Sequence, residues 1–534
     1  MALTALCNRD CRRRPRGQGL CRSLLLFFFF FFFLGPGISL GADSREALQK
    51  AAELVQEGRL DEADQQARLA LSDPQTRAVA YSVLGTIRFQ QKRLDESASL
   101  LRQAIRLNPQ LLGAHLSLAQ VYTIQGKPER ALPLFRHVLT MDPLDVGARL
   151  ALARAEAEKG RYRQSLEFAN PVLPALKQSP DGLLVLAADL AKLGKHAALA
   201  DLATDWMHLN GVPADWSIKF ALLLANNGAV PQAIEVLERT RQTSTPSYQL
   251  AFNLGGAYSM KHEFPRALDS YDEALTFDPR SMPALRQAAF IAEQQGELER
   301  SLSYWIRAKK IEPENPEILL GFGRICLKLD LLEDADPALT RAANLRPQDP
   351  LYKYTLAAAK TGKKEFEVAQ SLLQELVTTR TNDPQLQYAL GAVLYLEGHL
   401  ADAAAHLRES LRLQPDQLGS KYYLALVARD QQNDAEAIRI LEQVLQRHPD
   451  HASSHEVLGT LLMVANRYAD AKRNLEQAIR LNPKSVKANY QLGLLLARMG
   501  RKEEADKQLE MARSLRKEDE ETSRLQLRLL DPDQ

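Results

Sequence analysis

The chain has 534 residues, of which 45% are apolar and 25% charged, with a formal net charge of +2. That balance disfavours nucleic acid as a partner, because binding its phosphates needs a concentrated basic surface. Cysteine usage excludes a disulfide framework, because Cys7, Cys11 and Cys21 precede the first apolar run and leave Cys326 alone in the rest of the chain.

At the amino terminus, Arg12, Arg13, Arg14, Arg16 and Arg22 lead into an apolar run, Leu24 to Leu34, followed by Gly35, Pro36 and Gly37. This layout is that of a secretory signal, and Ser39-Leu40-Gly41 supplies the small-x-small site at which such signals are cut. Residues 1–41 are therefore expected to be a signal peptide, with an uncleaved membrane anchor as the alternative. Removing them takes away six Arg and one Asp and leaves a charge of about −3. The expected location is exported, periplasmic or extracellular. The absence of an N-x-S/T acceptor after residue 41 favours bacterial export over a glycosylating route.

From Ser44 to Asp519 the sequence divides into fourteen consecutive 34-residue units without an insertion or deletion. Position 8 of every unit is Gly or Ala, from Ala51 and Gly85 to Gly459 and Gly493. Position 20 is Ala or Ser in all units but one, where Leu199 stands, and position 32 is often Pro, as at Pro109, Pro279 and Pro483. Apolar residues recur at positions 7, 11, 24 and 28, a helical spacing. Each unit thus reads as two short antiparallel helices, A and B, whose axes approach where positions 8 and 20 are small. Proline at 32 ends helix B and turns the chain into the next unit. One hairpin cannot bury its own apolar face, so the units must stack.

These residues resemble the tetratricopeptide repeat family. In the unit 248–281 the family's marks appear as Leu254, Gly255, Tyr258, Ala267, Tyr271, Ala274 and Pro279, and the unit 452–485 matches nearly as well. The resemblance covers residues 44–519 and implies an all-α fold, a right-handed α-solenoid superhelix of about fourteen hairpins. It also implies a concave face, lined by helix A, that holds a peptide or a partner protein. A length of 534 ordinarily suggests several domains, but a solenoid is one array with neighbour contacts only.

Units four to six, residues 146–247, depart most from the pattern. Lys177, Gly211 and Thr245 replace the position-32 proline, and Pro171 and Pro174 fall late in helix B of unit four, which predicts a short or kinked helix there. Beyond Asp519, the tail 520–534 carries Leu525, Leu527, Leu529 and Leu530 and is expected to cap the open end of the array.

Chemistry-bearing motifs are few. Cys326 falls at core position 11 and reads as a small buried hydrophobe. Gly321-x-Gly323 lacks the third glycine and the preceding strand of a dinucleotide fingerprint. His448, His451 and His455 cluster at a turn, and His455-Glu456 opens an H-E-x-x-H pattern, but its second histidine is replaced by Gly459, a packing residue. No catalytic, cofactor-binding or metal-binding residue is assigned, and no cofactor is expected. The segments outside the repeats are too short for a catalytic domain.

On helix A, Tyr354, Tyr388, Tyr422 and Tyr490 all occupy position 5, interrupted by Glu456, with Tyr395 and Tyr423 on nearby helix faces. Tyrosine suits a peptide groove because its body is apolar and its tip polar. These six residues form the candidate partner-binding stripe, and the competing reading is that the rings only pack between units. Against the family's pattern, position 5 lacks the Lys and Asn of its chaperone-tail clamp, and position 6 lacks the asparagine ladder of its sugar-transferring relatives. The expected function is an exported scaffold that binds a protein or peptide at the cell envelope, not an enzyme and not a nucleic-acid binder. A component of an envelope or polysaccharide-export assembly is the nearer alternative; a cytosolic adaptor and a metal-dependent enzyme are the others.

Overall fold

The computed structural model describes the backbone of residues 42–530 and the side chains of residues 43–517. The expected signal segment 1–41 lies outside the described residues, as do the side chains of the expected cap 520–534. All regular structure among the described residues is helical. From Leu112–Ile124 to Val486–Arg498, helix A of every hairpin begins on the first residue of its 34-residue unit and runs 13 residues. Helix B begins at position 17 throughout, from Leu60–Leu69 to Lys502–Leu530. These pairs are the hairpins of an α-solenoid.

Three local devices explain why the period is kept. First, position 34 often caps the following helix A: the side chains of Asp145, Ser179, Ser247 and Ser485 accept from the backbone N–H groups of Ala148, Gly182, Leu250 and Ala488. Second, position 15 takes the left-handed conformation in every hairpin, with φ from 59° to 88°. The backbone N–H of position 16 then reaches back to the carbonyl of position 11, as from Arg93 to Arg88 and from Glu365 to Lys360, which closes the end of helix A. Glycine meets this demand at Gly58, Gly126 and Gly398, but Lys92, His262, Asp330, Lys364, Gln432 and Asn466 meet it with a side chain. Third, position 8 lies against position 24 of the same hairpin. A Cβ on Gly85, Gly391 or Gly493 would stand 2.6–2.7 Å from a carbon of Leu101, Leu407 or Leu509.

The helices group into two compact units, one ending at Ile291 and the other beginning at Ala292. In the first, helix B of the fourth hairpin is broken, as its prolines require: Tyr162–Ala169 gives way to a 3-10 turn, Asn170–Val172, and a short helix, Leu173–Leu176. Trp206 fills position 27 of the fifth hairpin and stacks on Phe220 with ring centroids 4.2 Å apart. In the second unit, a core cluster runs through Ala425, Leu441, Leu458, Leu475 and Leu495, with Tyr395, Tyr422 and Tyr423 packed against it.

Candidate functional site

The candidate tyrosines sit on helix A of the hairpins between residues 350 and 498, all within the second unit. Tyr388, at the middle of the row, lies on Gly419 of the next hairpin, where a Cβ would come within 2.4 Å of its ring. Its ring meets that of Tyr423 edge-on, with centroids 6.0 Å apart. Tyr423 in turn contacts Tyr395 at 5.5 Å and Tyr422 at 5.7 Å, and Tyr422 contacts His451 at 5.2 Å. Five rings therefore join two hairpins and the cap of the third, each pair tilted as the ring quadrupole favours.

Tyr354 belongs to the same side through a different link. Its hydroxyl accepts from Gln385 Nε2 at 2.9 Å, and Gln385 Oε1 accepts from Gln417 Nε2 at 2.8 Å. Position 5 of one hairpin thus repeatedly meets position 2 of the next: Tyr354 with Gln385, Tyr388 with Gly419, Glu456 with Lys487. Tyr490 stands apart at the end of the row, 45% exposed. Between it and Tyr422, the Glu456 carboxylate accepts from Ser485 Oγ at 3.0 Å and pairs with Lys487 at 3.0 Å.

The hydroxyl of Tyr395 is a fixed polar point. It donates to Asp430 Oδ2 at 2.8 Å and accepts from Arg429 Nη2 at 2.9 Å, while Arg429 Nε holds Asp430 Oδ1 at 2.7 Å. Burial pushes the phenols of Tyr388 and Tyr395 up to about 12 and raises those of Tyr422 and Tyr423, so all four stay protonated at neutral pH. The row can offer apolar ring surface and neutral hydroxyl donors.

The histidine cluster serves the joint between hairpins. His451 caps the helix Ala452–Val464, with Nδ1 accepting from the backbone N–H of Ser454 at 3.2 Å. His455 is held by its own contacts, with Nε2 3.0 Å from the carbonyl of Pro449 and Nδ1 2.8 Å from Asn474 Oδ1. Among the described residues, no group of three or more His, Cys, Asp or Glu side chains is placed to hold a metal ion. Cys326 is fully buried, and burial pushes its thiol up to about 12.

Sequence reasoning missed a recurrent clamp of which His455 is one case. A polar side chain at position 4 reaches the backbone carbonyl six residues earlier, at position 32: His115 to Pro109 at 2.9 Å, Arg149 to Pro143 at 2.6 Å, and Gln387 to Thr381 at 3.1 Å. Asn489 reaches Pro483 in the same way at 3.4 Å. Prolines at 32 were visible; the signal for the clamp was a polar residue among apolar ones on the buried side of helix A.

The hairpins, their fixed period and their contact-making helix faces define a helical-repeat protein. The chain belongs to the tetratricopeptide repeat family. Sequence models of that repeat match residues 78–111, 122–188, 218–281, 354–417, 422–471 and 456–514, together more than half of the chain. The first of these spans coincides with the second hairpin unit. A curated relative, the BBSome complex member BBS4 of Bos taurus, is 25% identical over 139 residues, 26% of each chain, so the match spans well under two thirds of that relative. Among solved structures, the chain is similar to the APC/C hetero-tetramer Cut9-Hcn1, at 15% identity over 89% of this chain and 94% of that one, with a TM-score of 0.39. Yeast Tom70 is similar at 14% identity over 89% and 96%, with a TM-score of 0.36. YrrB, described as a TPR protein with an unusual peptide-binding site, is 19% identical over 35% of this chain and 96% of its own, with a TM-score of 0.32. Proteins of this family are typically non-catalytic scaffolds that bind other proteins.

Proposed function

We propose that this chain is an exported, non-catalytic scaffold that holds a protein or peptide partner on the helix-A face between residues 350 and 498, at the cell envelope. The observation that supports the face is the row Tyr388, Tyr423, Tyr395 and Tyr422. It offers half-buried rings in edge-on contact beside one anchored hydroxyl, and apolar bodies with polar tips are what partner-binding surfaces favour. Partial burial lowers the entropy such rings lose on binding, because their neighbours already hold them. Export rests on the arginine-flanked apolar run before Ser39-Leu40-Gly41.

The test is site-specific photocrosslinking in the producing cell. A crosslinker at Tyr422 should capture a discrete partner, and Tyr388→Ala should reduce that capture. A crosslinker at Val368, on helix B, should not capture it. Equal capture from both positions, or none from Tyr422, would remove the assignment of this face.

A further inference from the structure

Position 10 of helix A is a core position, held by Ile87, Val121, Ala257, Ile325, Val393 and Leu461, all buried. In the fifth hairpin it is Asp189, with no exposure to solvent. Neither oxygen of its carboxyl has a hydrogen-bond partner, and neither has the Oγ of buried Ser165, the side chain that faces it from Tyr162–Ala169.

No charge compensates it. Around its helix, Pro180–Lys192, stand Arg154, Glu156 and Glu158 on Val146–Glu158, Arg163 and Glu167 on Tyr162–Ala169, His196, Asp201 and Asp205 on His196–Met207, and Asp215 and Lys219 on Ala214–Asn226. On its own helix are Asp181 and Lys192. Arg154 is paired with Asp181, Glu156 with Lys159 and Arg161, and Asp205 with Lys177. None of these charged groups acts on the Asp189 carboxyl; besides burial, only the neighbouring Ser165 hydroxyl influences it, without reaching hydrogen-bond geometry.

The same joint contains an interrupted helix. Helix B of the preceding hairpin breaks at Asn170–Val172, and open clefts of about 570 and 510 Å³ flank the Pro180–Lys192 helix. A buried carboxylate here has room to escape.

We propose that Asp189 and Ser165 form a pH-sensitive joint between the fourth and fifth hairpins. Protonated Asp189 donates to Ser165 Oγ and keeps the Pro180–Lys192 helix seated on Tyr162–Ala169. Ionised Asp189 must be hydrated, and it draws water in through the clefts and loosens the contact. The direction follows from burial, which pushes the carboxyl from 3.8 up to about 6. A raised folded-state value favours the closed joint fully below about 4, and the advantage is lost as pH rises through about 6.

Hydrogen exchange of the full chain, read by mass spectrometry at pH 5 and pH 7.5 and corrected for intrinsic rates, tests this. Peptides within 162–176 and 180–192 should open about tenfold more at pH 7.5 than at pH 5. Peptides within 384–413 should not change. Asp189→Asn, which keeps the shape, and Asp189→Leu, which restores the usual core chemistry, should each abolish the difference. A wild-type joint that opens equally at both pH values would overturn the proposal, as would a pH difference that survives in either variant.

Discussion

Gly323 faces Leu339 across its hairpin so closely that a Cβ at Gly323 would lie 2.4 Å from Leu339 Cγ, with Leu339 itself fully buried. Alanine fills the same position against the same leucine at Ala357 with Leu373 and Ala425 with Leu441, so this hairpin packing accepts one methyl group. Gly323→Ala should change stability little, because its strain is offset by a helix preference of roughly 0.5–1 kcal/mol. Gly323→Val adds branches with nowhere to go and should cost about 1–3 kcal/mol. Urea unfolding midpoints of the two variants decide; equal losses would mean that this approach does not set the interhelix distance.

Position 15 gives a prediction of the opposite sign. Lys364 holds φ at 63° where Gly398, one hairpin later, holds 86°. A side chain in the left-handed region costs about 1 kcal/mol, and Lys364 is exposed with nothing to lose. Lys364→Gly should therefore raise stability by up to about 1 kcal/mol, and Gly398→Ala should lower it by a similar amount. Denaturant titration of both variants checks the pair.

Asp189 should be a net destabiliser at neutral pH. A rise from 3.8 to about 6 corresponds to about 3 kcal/mol lost once the group is ionised, so Asp189→Leu should stabilise the first compact unit by up to that amount at pH 7.5. The gain should shrink toward pH 4, where the wild-type carboxyl is neutral. Thermal melts across that range measure it, and a gain independent of pH would point to packing instead of charge.

The tyrosines separate into two kinds. Tyr388 packs on Gly419 and Tyr423, so Tyr388→Ala should lower the melting temperature and also weaken partner binding, by about 2 kcal/mol or more if it is a hot spot. Tyr490 is 45% exposed, and Tyr490→Ala should leave the melt unchanged and weaken binding less. Pairing affinity with melting for each variant is decisive: lower melting with unchanged affinity at Tyr388 would reduce the row to a structural seam.

Export predicts a mature chain that begins near Ala42. Terminal sequencing of the native protein should find that start, whereas Met1 retained on membrane-bound protein would select the anchor.

Much of the fold could be read from the sequence because its period is a packing period. Small residues at 8 and 20 mark where two helices touch, and the apolar spacing gives the helices themselves. Pro171 and Pro174 announced the break in helix B for a local reason, the loss of backbone donors. The left-handed turn at position 15 was harder to read, because six hairpins make it with a residue other than glycine and the backbone pays for this through closure of the hairpin.

The sequence by itself determined the class of the protein, since repeated local preference and one short-range contact rule are enough to build each hairpin. Only the tertiary structure decided what each odd residue does. Whether Tyr388 meets Gly419, whether His455 reaches a ligand or the Pro449 carbonyl, and whether Asp189 finds a partner all depend on side chains from a neighbouring hairpin. A repeat pattern names the positions that touch; the burial and pairing of an exceptional side chain depend on which atoms stand across the joint, and these belong to another unit of the chain.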